Sequence, residues 1–379
     1  MKKAMILTFL TLTTLLTGCG SGDGLEELAA GREAAELKDY IKASKLLSKS
    51  LEITPDRVDA LVSLAQVKLA LGDLTAAKQS IKRAYEINHD DLDVRYLSGQ
   101  IAWHLKEYDE AGRLYKELAD DMNLDAKDRA RGWTGLGIVQ MAKGEAHLSR
   151  ISFLTAIRLD RRNAAAWYHL GLLYRDSPFG YNEAALDEFN IYVRLDTEAS
   201  PRVQKTQRVI IPALKESISR AAMDRPGVSK RDSAACAKLL SEAEAAVKKA
   251  ANKTALKKYE EALKADPLSY PAALGVAKLM VKVDNSKIGQ QKALEAYLVA
   301  CQLRPSAVAT FLTAGELAAK LSLNVQAVDI YSRAVAANPA SLDALDGLIR
   351  ALRKIKGKNA LASAYQRYRD ILPKPKAKK

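Results

Sequence analysis

An alanine followed four residues later by a large apolar side chain recurs along this chain. The pairs are Ala43 with Leu47, Ala77 with Ile81, Ala111 with Tyr115, Ala185 with Phe189, Ala255 with Tyr259, Ala293 with Tyr297 and Ala327 with Tyr331. Residues four apart share one helix face, so each pair predicts a helix that packs a small and a large residue inward together. Ser149 with Phe153 fills the same place in one further segment. A second slot for small residues runs through Gly31, Ala65, Gly99, Gly137, Gly171, Ala243, Ala277 and Gly315, at spacings of 34, 34, 38, 34, 72, 34 and 38. Prolines at 55, 267, 305, 339 and 373 stop the second helices, and the last three stand 34 apart. The pattern predicts helix pairs repeated along the chain, with small residues where two backbones approach.

The departures from that period have local causes. The polar stretch Asp120 to Asp128 absorbs extra residues, Pro178 and Gly180 lengthen the turn from Ser177 to Tyr181, and Asp284 to Gln290 does the same later. The 72-residue step equals two periods plus four, which leaves residues 200–235 open. They read either as a degenerate pair, with helices near Arg202–Val209 and Ala213–Met223, or as a linker broken by Pro201, Pro212, Pro226 and Gly227. A hinge or kink is expected in both cases.

Trp-x-x-Leu-Gly occurs as Trp133–Leu136–Gly137 and again 34 residues on as Trp167–Leu170–Gly171. This resembles the opening of the tetratricopeptide repeat. The resemblance implies an all-α, right-handed superhelical solenoid of helix-turn-helix units, with five over 24–199 and four over 236–373. It also implies a concave groove lined by the first helix of each unit. In this chain the lining comprises Val62, Gln66 and Leu69, then Tyr96, Gln100 and Trp103, then Thr134, Ile138 and Met141, and Tyr168, Leu172 and Arg175. Tyrosine, tryptophan and arginine are frequent interface anchors, and the amides of Gln66 and Gln100 suit a peptide backbone. Tyr168 and Trp103 also fit as packing between units, while Trp133 and Trp167 belong to the motif's own core. Some relatives grip a C-terminal carboxylate with lysine and asparagine. The matching places here are apolar, glutamine or acidic, so that mode is not expected.

The first residues read as an export signal over 1–18: Lys2 and Lys3, an apolar run from Ala4 to Leu16, then Leu16-Thr17-Gly18-Cys19. The run is too short for an ordinary transmembrane helix. The last four residues resemble a bacterial lipobox, which implies acylation of Cys19 as the membrane attachment. Residues 19–23 then form a flexible tether within Gly20–Gly24. Gly20, in place of an aspartate, favours the periplasmic face of the outer membrane by the same resemblance. Cys236 and Cys301 show no disulfide framework and read as small buried helix residues.

Charge is uneven. Residues 19–200 hold 24 basic and 30 acidic side chains, a net −6, and residues 201–379 hold 33 and 15, a net +18. Arg350, Arg353, Lys354, Lys356 and Lys358 are expected to give the last unit a polar face, as a terminal repeat requires. The tail 374–379, with Lys374 and Lys376, is expected to be disordered and basic. One reading is a solubilising cap; the other is attachment to cell wall or anionic lipid. Nucleic acid is set aside, since no aromatics interleave the tail.

The sequence has no His-Glu-x-x-His, phosphate-cradling glycine loop, Gly-x-Ser-x-Gly or paired-cysteine motif. The four histidines fall in four different units without shared spacing. No metal, cofactor or catalytic role is expected. The chain reads as a non-catalytic scaffold for one or more envelope proteins, of pilus, secretion or outer-membrane assembly type. The alternative is an envelope tether acting through the basic end.

Overall fold

The computed structural model describes residues 23–176, 180–196 and 200–373. Every regular element among them is a helix. The chain divides into two compact units, the first ending at Glu107 and the second starting at Tyr108.

The first unit contains α1 (Leu25–Glu36), α2 (Tyr40–Ile53), α3 (Val58–Ala70), α4 (Leu74–Ile87) and α5 (Leu92–His104), each packed on the next. Asp39, Asp73 and Asp91 begin α2, α4 and α5 by accepting backbone N–H bonds from Lys42, Ala76 and Val94, which satisfies donors a helix start leaves unpaired. Ala43 and Leu47 are fully buried, as are Ala60, Ala65 and Ala77. A Cβ built at Gly31 would stand 2.8 Å from Leu47 Cγ. The expected tether is shorter at its end. The Asp23 carbonyl accepts from Thr54 Oγ1 at 2.7 Å and Arg57 Nη2 at 2.8 Å, and the Gly24 carbonyl accepts from Ser50 Oγ at 2.7 Å. Residues 19–22 lie outside the described residues.

The second unit opens with α6 (Tyr108–Asp120), α7 (Ala126–Ala142), α8 (Ala146–Leu159), α9 (Ala164–Arg175) and α10 (Asn182–Leu195). After α11 (Pro201–Lys205) and α12 (Ile211–Met223) come α13 (Ser233–Lys248), α14 (Asn252–Ala265), α15 (Tyr270–Val283) and α16 (Lys287–Leu303). The unit ends with α17 (Val308–Lys320), α18 (Asn324–Ala337), α19 (Leu342–Arg353) and α20 (Asn359–Asp370). Helices α7 with α8, α9 with α10, and then α13 through α20 two by two pack against each other as consecutive partners. The small and large slots meet as the spacing predicts: Gly137 faces Phe153, Gly171 faces Phe189 and Gly315 faces Tyr331. The Tyr331 ring lies against Gly347 of α19 as well, so one aromatic side chain joins two consecutive units. Tyr259 is only half-buried, the one large partner that does not reach the core.

Residues 201–223 are helical over both expected stretches, as the degenerate-pair reading has it, but no turn separates the two. Helices α11 and α12 run into each other through a π turn at Thr206–Ile210, in which the Ile211 N–H bonds to the Thr206 carbonyl five residues back. Pro201 sits in the first turn, where no N–H is needed. Pro212 falls directly after the π turn, where the regular ladder is already interrupted. This single helix packs on α10.

The last pair is more than a cap. Arg350, Arg353, Lys354, Lys356 and Lys358 are exposed, but α20 docks onto α8 with its other side. Every residue of α8 from Ser149 to Ile157 is buried. Arg150 among them has no solvent exposure. Its Nε donates to the Tyr365 hydroxyl at 3.0 Å, its Nη1 to the Ser332 carbonyl at 3.1 Å, and its Nη2 to the same Tyr365 oxygen. His147 Nδ1 lies 3.0 Å from that hydroxyl. Burial first, then the charges of Arg150 and Lys358, push the His147 imidazole down to about 3, so it is neutral. With the Tyr365 oxygen already accepting twice from Arg150, the tyrosine O–H is the donor left for the ring nitrogen.

Candidate partner-binding surface

In the first unit α3 and α5 lie side by side, which brings two of the expected rows together. Gln66 is exposed, and Leu69, Tyr96, Gln100 and Trp103 are half-buried. Val62 is only 8% exposed and packs into the core with Leu61, Ala65 and Ile81. It leaves the expected surface, because it is taken into the core that α3, α4 and α5 share. Trp103 stands edge-on to His104, with centroids 4.9 Å apart, and its indole N–H is buried with no acceptor among the described residues. Part of its ring therefore packs, while the rest stays open.

In the second unit α7 and α9 are neighbours in the same sense. Ile138 and Met141 are half-buried against the core. Thr134 is buried and leaves the expected lining. Its hydroxyl donates to the Ala130 carbonyl at 2.8 Å and accepts from Asn163 Nδ2 at 2.9 Å. Asn163 caps α9, so Thr134 fixes the start of the next unit instead of facing a ligand.

Tyr168, Leu172 and Arg175 stand one turn apart on α9 and line a cavity of about 500 Å³. The opposite wall comes from α11, the π turn and α12, through Lys205, Val209, Ile210, Ala213, Leu214 and Ser217. Tyr168 packs against Phe189 and Tyr192, at centroid distances of 5.8 and 5.0 Å, and the Arg202 guanidinium lies 5.1 Å above its ring. Arg175 is neutralised by a two-pronged pair with Asp176 at 2.7 and 2.9 Å. Asn182 donates to Ser217 Oγ at 3.3 Å across the cavity mouth. Next to Tyr168, His169 stacks on Phe153; burial first, then Arg202, hold it down at about 4.

The residues from 201–223 in this wall escaped the sequence reading. The only signal for them was the 72-residue step, which says that something intervenes and not which way its side chains face. Cys236 and Cys301 are free and buried. Among the described residues no group of three or more metal-ligating side chains comes together, and no helix is long and apolar enough to cross a membrane. Cys19, Lys374 and Lys376 lie outside the described residues.

Residues 36–118, from the end of α1 to α6, match the family described as anaphase-promoting complex, cyclosome, subunit 3. Among solved structures, "Functional Characterization of Pseudomonas Aeruginosa pilF" is 18% identical, covering 54% of this chain and 93% of that one at a TM-score of 0.42. MamA from Desulfovibrio magneticus RS-1 is 15% identical, covering 48% and 99%, with a TM-score of 0.40. "YrrB: a TPR protein with an unusual peptide-binding site" is 16% identical, covering 47% and 89%, with a TM-score of 0.36. The helix pairs, their 34-residue period and their packing define an all-α array of tetratricopeptide-type units.

Proposed function

We propose that this protein is a non-catalytic scaffold that holds polypeptide partners on the first-helix faces of its repeats. The observation that carries the reading is the open cavity at Tyr168, Leu172 and Arg175, where apolar and polar groups converge as binding sites require. The half-exposed row on α3 and α5 offers a second surface in the first unit. Acylation at Cys19 would hold the scaffold in the cell envelope at the outer membrane's periplasmic face, where assembly of an envelope complex is its role.

A photo-crosslinking residue placed at Tyr96, Trp103 or Tyr168 of the lipidated protein in its own cells tests this, with one at Lys376 for comparison. Discrete protein adducts at the first three positions, identified by mass spectrometry, are the expected result. Adducts to wall or lipid at Lys376 alone would support the tether reading instead. That second reading draws on five exposed basic residues between Arg350 and Lys358 with no acid among them. It requires steep loss of wall or lipid binding with salt and on deletion of residues 373–379.

A further inference from the structure

We infer that the cavity between α9 and the π-interrupted helix is a pocket for an acidic peptide segment, with an aliphatic side chain entering it between flanking carboxylates. The inference rests on the scaffold reading and names the chemistry of its partner. None of the cavity-lining residues is an acid, while Lys205 and Arg175 are cations. Arg175 already has Asp176, which leaves Lys205 as the cation available to a ligand. The helix that carries Lys205 is basic throughout: between Pro201 and Met223 it has five arginines and lysines and one acid, Glu216. Glu216 is taken up by Arg220. Lys205 and Arg208 are exposed.

Apolar groups fill the rest of the site. Val209 is 56% exposed on the π turn, beside Leu172, Ala213 and Leu214. An aliphatic side chain that remains this open at the edge of a cavity gains by being covered. The π turn is an independent sign, since single π turns inside helices are frequent at functional sites. Asn182 and Ser217 bond weakly to each other at 3.3 Å, and both are able to exchange that contact for a peptide carbonyl or N–H. A free fatty acid shares the mixture of charge and aliphatic surface, but it has no use for that polar pair and brings a single carboxylate to a helix with several cations.

The test is fluorescence anisotropy with the full mature protein. The probe is a fluorescein-labelled peptide with one leucine between pairs of glutamates, compared with lysine-flanked and serine-centred versions. Saturable binding of the acidic leucine peptide is expected, with affinity falling at least tenfold for both control peptides. The double variant Lys205→Glu, Arg208→Glu and the cavity-filling Ala213→Trp should each weaken it tenfold or more, with helical circular dichroism unchanged. Equal binding of the lysine-flanked peptide, wild-type affinity in the variants, or displacement of the peptide by sodium decanoate at lower concentration would overturn the proposal. If the acidic peptide fails while crosslinks at Tyr168 still capture a protein, the acidic specificity is wrong and the scaffold reading stands. If neither occurs, the scaffold reading falls with it.

Discussion

Arg150 and Tyr365, 215 positions apart, share a hydrogen bond of 3.0 Å in a site closed to solvent. A buried guanidinium keeps its charge, so its stability depends on the oxygens around it. Tyr365 supplies one that Arg150 uses twice.

Tyr365→Phe should therefore destabilise the protein by about 1.5–3 kcal/mol, the range for a bond to a charged group. Arg150→Met strips the Ser332 carbonyl and the Tyr365 hydroxyl of their donor together, and buried groups left unpaired cost about 1–3 kcal/mol each. The loss for Arg150→Met is expected to exceed that for Tyr365→Phe. Urea midpoints at unchanged slope measure both; a smaller loss for Arg150→Met would refute this account of the site.

The His147 imidazole belongs to the same cluster and sets an acid limit. Its value of about 3 in the folded chain lies below the ordinary 6.5, so the unfolded chain binds a proton that the folded one refuses. Stability from this group is present above pH 6.5 and is lost as pH falls toward 3. At pH 5 the loss is about 2 kcal/mol by the usual conversion. His147→Gln should flatten that part of the profile in thermal melts run from pH 7 to 4, leaving the smaller share from His169.

Glu188 acts in the opposite sense. It is 7% exposed, and burial, with Asp187 second, raises its carboxyl to about 8 from 4.5. Its stability contribution is intact below pH 4.5 and declines as pH rises to 8, because the unfolded chain ionises first. Glu188→Gln should raise stability by about 3 kcal/mol at pH 7 and leave it unchanged at pH 4. A gain of equal size at both values would remove ionisation as the cause.

Two glycines separate close packing from helix propensity. A Cβ at Gly347 would stand 2.2 Å from the Tyr331 ring, whereas one at Gly112 meets only Val139 Cγ1, at 3.6 Å. Gly347→Ala should cost about 1–3 kcal/mol through overpacking. Gly112→Ala, in the middle of α6, should gain up to about 1 kcal/mol. Denaturation midpoints moving in the same direction would contradict this reading of the slots.

The helix pairs were legible in the sequence because their signal is local and repeated. Ala327, Tyr331 and Gly315 announce their contact by spacing alone, and the structure places Tyr331 against Gly315. Exposure along the first helices was legible only in part. Val62 and Thr134 fit the row by period, but a period cannot tell what covers a residue: the shared core of α3, α4 and α5 buries one, and Asn163 engages the other. The helical stretches within 201–223 were legible as one of two readings, but their continuity was hidden because Pro212 reads as a break, while a π turn lets the chain run on through it. Arg150 gave no signal at all. An arginine in a second helix reads as a surface cation, and the residues that make it otherwise, Ser332 and Tyr365, lie far along the chain.

Arrays of this type normally fold by neighbour-to-neighbour growth, each unit settling on the one before. The docking of α20 on α8 changes that order for the second unit. Helix α8 leaves the ribosome more than two hundred residues ahead of Tyr365, and until then Arg150 lacks the oxygen it shares with no earlier helix. Completion of this part of the molecule is thus a late, non-local event of the kind that slows folding. A chain cut short before α20 would not be a shorter version of the same array. It would carry in its middle an arginine short of the Tyr365 oxygen, a mark by which an unfinished molecule differs from a finished one.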